Sequence, residues 1–353
     1  MRRRIRAAVL GATGLVGQYF VHLLSNHPVF NLSVLVASES KRGMKYGDAI
    51  SKWFPPRPPD SQVLSKEVFS PGDLRLEDID LVFSALPSEV ARCIEKDLLS
   101  KGFTIVSNAS PMRLEPFVPL VNPEVNIEHI SVMEKQRVMG WRGRIAKNPN
   151  CTTAILTLTL KPLQDAYGIR KVFMTSLQAV SGAGIRGHYA LDIMCNVIPF
   201  IGGEEEKVVN ETKKIMGEVS SEGIVPRDDI LVVPTATRVP VLVGHTLSVA
   251  VELKQPPSSV EEIASMLESW RTENDVVRNL PMIPEKPLVV FHEEDRPQPL
   301  FDSLLSGGMT VAVGRLRITG NILSYIAVGN NLVRGAAGIA VAIGEYLAHE
   351  RLV

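Results

Sequence analysis

Cysteine is scarce in this chain and comes unpaired. Cys93, Cys151 and Cys195 are the only three among 353 residues, their spacing is wide, and no CxxC occurs. That pattern argues against a disulfide framework and against a zinc–cysteine site, so no metal is expected. No apolar run approaches the ~18–20 residues of a membrane span. Charge of one sign is missing too: Lys+Arg is 38 and Asp+Glu is 38. A nucleic-acid binder usually carries a basic excess, and a solvating tail an acidic one. There is no GxxxxGK[ST], which excludes a P-loop, and no internal repeat or low-complexity tract. The start, Met1-Arg2-Arg3-Arg4, imitates the basic region of a signal peptide. The apolar stretch behind it is broken at Gly11, Gly14 and Gly17, and no cleavage-like site closes it. The reading is a cytoplasmic protein, in which the sequons at Asn31, Asn108, Asn150 and Asn210 are chance matches.

What is present fits an ordinary globular chain, with 45 % apolar and 22 % charged residues. At ~150 residues per domain the length suggests two domains. The first 110 residues alternate between strand-like and helix-like segments. Ala7–Leu10, Leu32–Ala37, Ile79–Ser84 and Thr104–Ser107 read as buried strands. From Leu15, the apolar Val16, Phe20, Leu23 and Leu24 mark one helix face, ended by Asn26 and Pro28. Strands alternating with helices imply a parallel sheet with covered faces. After residue 150 the style changes. Val172–Val180, Leu231–Val233 and Thr246–Leu253 read as strands, and in the last Leu247, Val249, Val251 and Leu253 share one face of an antiparallel sheet. Glu204–Glu218 reads as a charged helix and Gly335–Leu347 as an Ala/Gly-rich one. The fold class is α/β: a Rossmann-type dinucleotide-binding domain plus a mixed α+β domain.

Gly11-Ala12-Thr13-Gly14-Leu15-Val16-Gly17 lies between a strand and a helix. Glycines let the backbone approach a pyrophosphate, and the helix start offers free N–H groups and a positive dipole. At the end of the second strand the chain reads Ala37-Ser38-Glu39-Ser40-Lys41-Arg42. An acidic residue there suits the ribose hydroxyl of NAD, and hydroxyls with cations suit the 2′-phosphate of NADP. Ser38, Ser40, Lys41 and Arg42 outweigh Glu39, so NADP is expected.

Asn148-Pro149-Asn150-Cys151-Thr152-Thr153 precedes apolar residues at helical spacing, Ile155 and Leu158. Cys151 thus falls at a helix start, where the dipole and free N–H groups favour the nucleophilic thiolate. Cys93 and Cys195 have no such setting and read as small buried apolar residues or surface thiols. Asn150 also reads as a plain N-cap. A nucleophilic thiol needs an acid–base partner. His22, His27 and His349 fall on peripheral helices, and His129 and His292 in polar connecting stretches. The residues alone leave His188, after Ser181-Gly182-Ala183-Gly184, and His245, in Gly244-His245-Thr246, both open.

At Gly11–Gly17, Asn148–Thr153, Gln178–Gly184, Arg238–Thr246 and Asn331–Gly338 the chain resembles the archaeal and fungal branch of the aspartate-semialdehyde dehydrogenases over essentially its whole length. The resemblance implies that Cys151 is the nucleophile, that His245 is the acid–base residue, that Gln178 orients substrate, and that Asn150 joins the oxyanion donors. It further implies Arg238 for the substrate α-carboxylate, Glu204 for its α-ammonium, and Arg113 and Lys207 for phosphate. Glu204 opens a run of three glutamates, so the register could also select Glu205 or Glu206. The cofactor set it implies is Gly11, Thr13, Gly14, Leu15, Val16, Ser38, Ser40, Lys41, Arg42, Ser84, Leu86, Ser181, Gly182 and Asn331. The implied domains are 1–150 with 331–353 for NADP, and 151–330 for catalysis and dimerisation. The implied reaction is NADPH-dependent reductive dephosphorylation of L-aspartyl 4-phosphate through a Cys151 thioester, in aspartate-family biosynthesis of lysine, threonine and methionine, by a homodimer or homotetramer. Three alternatives stand beside it: a malonyl-CoA or succinyl-CoA reductase of the same superfamily, an N-acetyl-glutamyl-phosphate reductase, and a non-catalytic dinucleotide sensor.

Overall fold

The computed structural model describes residues 3–353, so Met1 and Arg2 of the basic start lie outside the described residues. Its first sheet has six strands: β1 (Ile5–Leu10), β2 (Phe30–Val36), β3 (Val68–Phe69), β4 (Leu81–Ser84), β5 (Thr104–Ser107) and β6 (Arg144–Lys147). All pair in parallel, in the order β3-β2-β1-β4-β5-β6. This is the strand order of a Rossmann sheet, which reverses between β1 and β4 and opens a crevice there. Ala7 to Leu10 are wholly buried, because a central parallel strand has helices on both faces. Helix α1 (Leu15–Leu24) buries Phe20, Val21 and Leu24. Helix α2 (Ser88–Lys101) buries Leu98 and Leu99.

The second sheet is mixed. It comprises β7 (Ile169–Gln178), β10 (Leu231–Arg238), β11 (His245–Leu253), β12 (Leu288–Phe291), β13 (Val311–Thr319) and β14 (Ile322–Gly329), in the order β10-β7-β11-β14-β13-β12. A hairpin of β8 (Glu218–Ser220) and β9 (Gly223–Val225) stands apart. Leu247, Val249, Val251 and Leu253 all face the core, in β11 antiparallel to both β7 and β14, as the alternation requires. Over that face pack helices α3 (Cys151–Tyr167), α4 (Glu204–Ile215) and α5 (Val260–Ser269). The opposite face stays open, with Phe173, Leu177, Leu231, Val233 and Ile322 exposed. The last helix, α6 (Gly338–His349), returns to the first sheet and packs there through Ile339, Val341 and Ile343.

Several boundaries differ from the sequence reading. The charged helix ends at Ile215 rather than Glu218, which starts β8; Met216 and Gly217 close the last turn onto Thr212 and Lys214. The final helix begins at Gly338, because residues 333–337 form a wide π turn. Val180 leaves its strand for a 3₁₀ turn. His27 lies beyond α1 and is buried against Glu345, so it is not peripheral, and His129, read in a polar connecting stretch, is buried between Asn126 and the Gly217 carbonyl. Cys93 and Cys195 are exposed, not buried. No helix of the described residues is long and apolar enough to cross a membrane.

Candidate active site

The glycine-rich turn leaves the C-terminal end of β1 and opens α1 at the switch point. Gly11 has φ +75°, and a Cβ there would sit 2.7 Å from the Ala85 carbonyl oxygen. Gly14 is the N-cap of α1 and no side chain caps that helix. Its first N–H groups are therefore available to an anionic ligand, and Leu15 and Val16 form its first turn. A cavity of about 490 Å³ lies beside it, lined by Leu15, Tyr19, Ser181, Leu242 and Leu332 among others. These features fit a dinucleotide. Lys41 Nζ donates to Thr13 Oγ1 at 3.0 Å, which brings its charge to the glycine turn. Arg42 is instead engaged by Asp73 and Glu39, and the Ser38 and Ser40 hydroxyls bond to each other at 3.0 Å. The Ser84 hydroxyl is engaged instead by buried Glu95, to which it donates at 2.8 Å. The backbone of Leu86 borders Gly11.

Cys151 is the first residue of α3. Asn150 caps it, its Oδ1 accepting from Thr152 N at 2.9 Å and Thr153 N at 3.4 Å. Asn150 is thus both a cap and a site residue, because its Nδ2 donates to both Glu204 oxygens at 3.0 Å. Cys151 Sγ lies 3.1 Å from His245 Nε2. His188 is exposed on the loop after β7, so the structure selects His245 as the neighbour of the thiol. The Ala179 N–H donates to His245 Nδ1 at 3.1 Å. With Nδ1 accepting, a neutral ring carries its proton on Nε2, facing the sulfur. Gln178 and Arg238 end the adjacent parallel strands β7 and β10 in register with each other. Both are buried beside His245 at the start of β11. Asn331 ties this corner together: its Oδ1 accepts from Gly244 N at 2.9 Å and its Nδ2 donates to Ser181 Oγ at 2.8 Å. Gly182 sits against Arg238 Nη1 and the His245 ring.

The electrostatics run partly against the sequence expectation. In the ligand-free site burial pushes the Cys151 thiol up to about 12, and the Glu204 carboxylate adds to the rise. Arg238, the Thr152 N–H and Arg113 pull the other way, as a helix start should, but they are outweighed. Burial, aided by Arg238, pushes His245 down to about 3, so the ring is neutral.

Of the three glutamates, Glu204 is the one that turns into the site. It is 5 % exposed and accepts from Gln178 Nε2 at 2.9 Å and Thr152 Oγ1 at 3.2 Å as well as from Asn150. Glu205 accepts from the Ala236 N–H, on β10, and Glu206 is exposed. Arg113 is buried and pairs with Glu211 at 2.7 Å. Lys207 is half-buried on α4, one turn beyond Glu204. Arg238 Nη1 donates to the Ala179 carbonyl at 2.8 Å, while its Nε is buried without a partner.

Sequence reasoning missed four buried charges around this site. Glu211 and Lys214 lie seven and ten residues after Glu204, on the same face of α4, a helical spacing that would have signalled them. Lys147 precedes the Asn148–Cys151 turn and donates to Glu95 at 2.5 Å and Ser107 at 2.8 Å; burial holds it down to about 8. Arg334 forms a two-pronged pair with Glu124 under the π turn. For these two no sequence signal existed, because their partners are distant in the chain.

Two family models match the chain: "Semialdehyde dehydrogenase, NAD binding domain" over residues 6–133 and "Semialdehyde dehydrogenase, dimerisation domain" over residues 160–334. An aspartate-semialdehyde dehydrogenase of Methanothermobacter thermautotrophicus is 44 % identical, covering 97 % of this chain and 99 % of its own. The crystal structure of the Candida albicans aspartate-semialdehyde dehydrogenase with NADP superposes with a TM-score of 0.89 at 36 % identity, covering 99 % of this chain and 100 % of that one. A malonyl CoA reductase (NADP) of Metallosphaera sedula is 33 % identical over 99 % of this chain and 98 % of its own.

Proposed function

Since the chain belongs to the aspartate-semialdehyde dehydrogenase family, we propose that it catalyses the NADPH-dependent reductive dephosphorylation of L-aspartyl 4-phosphate to L-aspartate 4-semialdehyde. The reaction serves the aspartate-family route to lysine, threonine and methionine. The observation that carries this reading is Glu204. A buried carboxylate whose hydrogen-bond donors, Asn150, Thr152 and Gln178, are all neutral still calls for a cation. An α-ammonium supplies one. Malonyl-CoA offers a carboxylate that Arg238 would accept, but it has no cation for Glu204, which would repel it.

In this reading the substrate ammonium neutralises Glu204 and removes one of the two influences that hold the Cys151 thiol up. The Cys151 thiol gives up its proton, which leaves with the phosphate; the sulfur attacks the acyl carbon, the carbon–oxygen bond to phosphate breaks, and a thioester remains on Cys151. Arg113 and Lys207 hold the departing phosphate, and Arg238 the α-carboxylate. When bound, NADPH supplies the hydride that reduces the thioester. The acyl oxygen then carries negative charge, which the His245 Nε2–H and the donors around Asn150 stabilise. Collapse of that oxyanion releases the aldehyde and returns the thiolate, so a neutral His245 suffices as the partner. The cofactor is read on Gly11–Val16, Lys41, the Leu86 backbone and the Ser181–Gly182 loop, with Asn331 bracing that loop. Residues 1–150 with 331–353 are read as the cofactor domain and 151–330 as the catalytic one. A free nucleophilic thiol suits the cytoplasm.

The open face of the second sheet supports a homodimer, since Phe173 and Val233 on neighbouring strands are exposed there. The test is a coupled assay with aspartate semialdehyde, phosphate and either NADP or NAD. Phosphate-dependent formation of reduced cofactor, faster with NADP and abolished by Cys151→Ala, is expected. Faster reduction of malonyl-CoA than turnover of aspartate semialdehyde would replace this reading with the CoA-ester one. Retained turnover in Cys151→Ala would remove the nucleophile assignment.

A further inference from the structure

Helix α4 presents more than Glu204 to the site. Glu211 lies two turns further along, is 2 % exposed, and uses its carboxylate on both sides. Its Oε1 accepts from Arg113 Nη1 at 2.7 Å, and its Oε2 accepts from the Asn150 backbone N–H at 2.6 Å. One turn on, buried Lys214 donates to the carbonyl oxygens of Arg113, Glu115 and Val118 at 2.7, 2.6 and 2.8 Å. Arg113 is therefore held at its guanidinium by Glu211 and at its backbone by Lys214. Its Nη2 donates to the Asn108 carbonyl, and its Nε is buried with no partner.

We propose that Glu211 is the positioning residue of the phosphate subsite: one carboxylate aims Arg113, whose backbone Lys214 holds, at the leaving phosphate and fixes the Asn150–Cys151 turn. The inference rests on the reading of Arg113 as a phosphate ligand. Two kinds of donor, a guanidinium N–H and a peptide N–H, converge on Glu211 from opposite sides. A carboxylate accepts at both oxygens. A glutamine offers one acceptor oxygen and one NH₂ group, so one of the two donors would face another donor. Glu211 also balances a guanidinium that burial would otherwise leave unpaired. The unpartnered Nε of Arg113 is the second observation. Buried N–H groups are nearly always bonded, so this one awaits an acceptor. A tetrahedral oxyanion meets it well, because the guanidinium edge pairs with two phosphate oxygens at once. Phosphate binding and nucleophile placement then depend on the same side chain.

Steady-state kinetics with aspartate semialdehyde, NADP and inorganic phosphate test this. Glu211→Gln is expected to raise the KM for phosphate ~10-fold or more, the scale of one lost charge-assisted hydrogen bond, and to lower kcat. The KM for NADP should not move. Glu211→Asp keeps both acceptor oxygens and should recover part of the loss; it also serves if the glutamine variant fails to fold. Arg113→Lys should raise the phosphate KM in the wild type but add little in the Glu211→Gln background. If Arg113→Lys raises the phosphate KM while both Glu211 variants leave it within about twofold, well below the loss expected for that bond, Glu211 is only structural and the proposal is overturned. If Arg113→Lys itself leaves the phosphate KM unchanged, the failure lies in the Arg113 reading and the proposal falls with it.

Discussion

At the scale of single residues, the site is governed by which charges burial leaves uncompensated. Cys151 and Glu204 share one corner of the site, and burial together with the Glu204 carboxylate raises the cost of ionising the thiol. The ligand-free thiol should therefore not behave as a preformed thiolate. Its alkylation by iodoacetamide is expected to keep rising from pH 7 to pH 10, ~10-fold per unit, without a plateau. The sign follows from the raised value: below it the protonated thiol dominates, and each step upward in pH enlarges the thiolate fraction. Glu204→Gln removes the second cause and should speed labelling at pH 8 while raising the KM for aspartate semialdehyde. A labelling plateau near neutral pH would show that the helix start prevails over burial. Lys41 and Arg42 separate in the same way. Lys41 reaches Thr13, whereas Arg42 is held by Asp73 and Glu39. Lys41→Ala should narrow the NADP-over-NAD preference in kcat/KM by ~10-fold, the scale of one charge-assisted contact, and Arg42→Ala should change it less. The reverse ranking would mean that Arg42 leaves Asp73 when cofactor binds.

At the scale of elements, the thiol is set by two helix ends facing each other. The start of α3 carries Cys151, and the π turn at 333–337 leads into α6. Single π turns widen a helix and occur often at functional sites. Here the turn brings the Gly335 backbone against Cys151: a Cβ on Gly335 would lie 2.5 Å from Cys151 Cβ. Arg334 secures the turn from beneath through its buried pair with Glu124 and a bond to the Met309 carbonyl. Gly335→Ala must displace Cys151 from its 3.1 Å contact with His245. A displacement near 1 Å costs ~10²-fold in rate. The expected result is that loss in kcat with NADP affinity, measured by fluorescence titration, nearly intact. Retained turnover would show that the site tolerates movement of the thiol.

At the scale of the whole molecule, the second sheet buries one face under α3, α4 and α5 and leaves the other uncovered. Phe173 and Val233, cross-strand neighbours on β7 and β10, stand 46 % and 41 % exposed on that face. An exposed apolar sheet face of this kind suits a contact between copies of the chain, which is the homodimer proposed above. Light scattering should give twice the chain mass. The double variant Phe173→Asp, Val233→Asp should shift the protein to monomer while the buried side of the sheet keeps its packing. A monomeric wild type would exclude this face as a contact between copies. Gln178 and Arg238, at the ends of β7 and β10, and His245, at the start of β11, stand together at one end of these strands, so loss of the pairing is also expected to lower activity.

The sequence alone determined the features that local chemistry controls. The glycine-rich turn after a buried strand, the Asn150 cap with Cys151 at the next position, and the period-2 face of Leu247 to Leu253 are each set by neighbours in the chain. They were legible because backbone freedom, capping and alternation act over a few residues. The resemblance supplied His245, which residue types alone left open against His188, and it supplied Glu204 while leaving Glu205 and Glu206 open. Tertiary structure decided the rest. It turned Glu204 inward and spent Glu205 on the Ala236 N–H, it sent Arg42 to Asp73, and it sent the Ser84 hydroxyl to Glu95. It also placed Glu211 between Arg113 and Asn150, residues 98 and 61 positions away in the chain. For the buried Glu204, Glu95 and Glu211 the physical reason is the same. A buried charge is stable only beside its partner, and which partner is near depends on how the two sheets and their helices pack, not on any spacing along the chain.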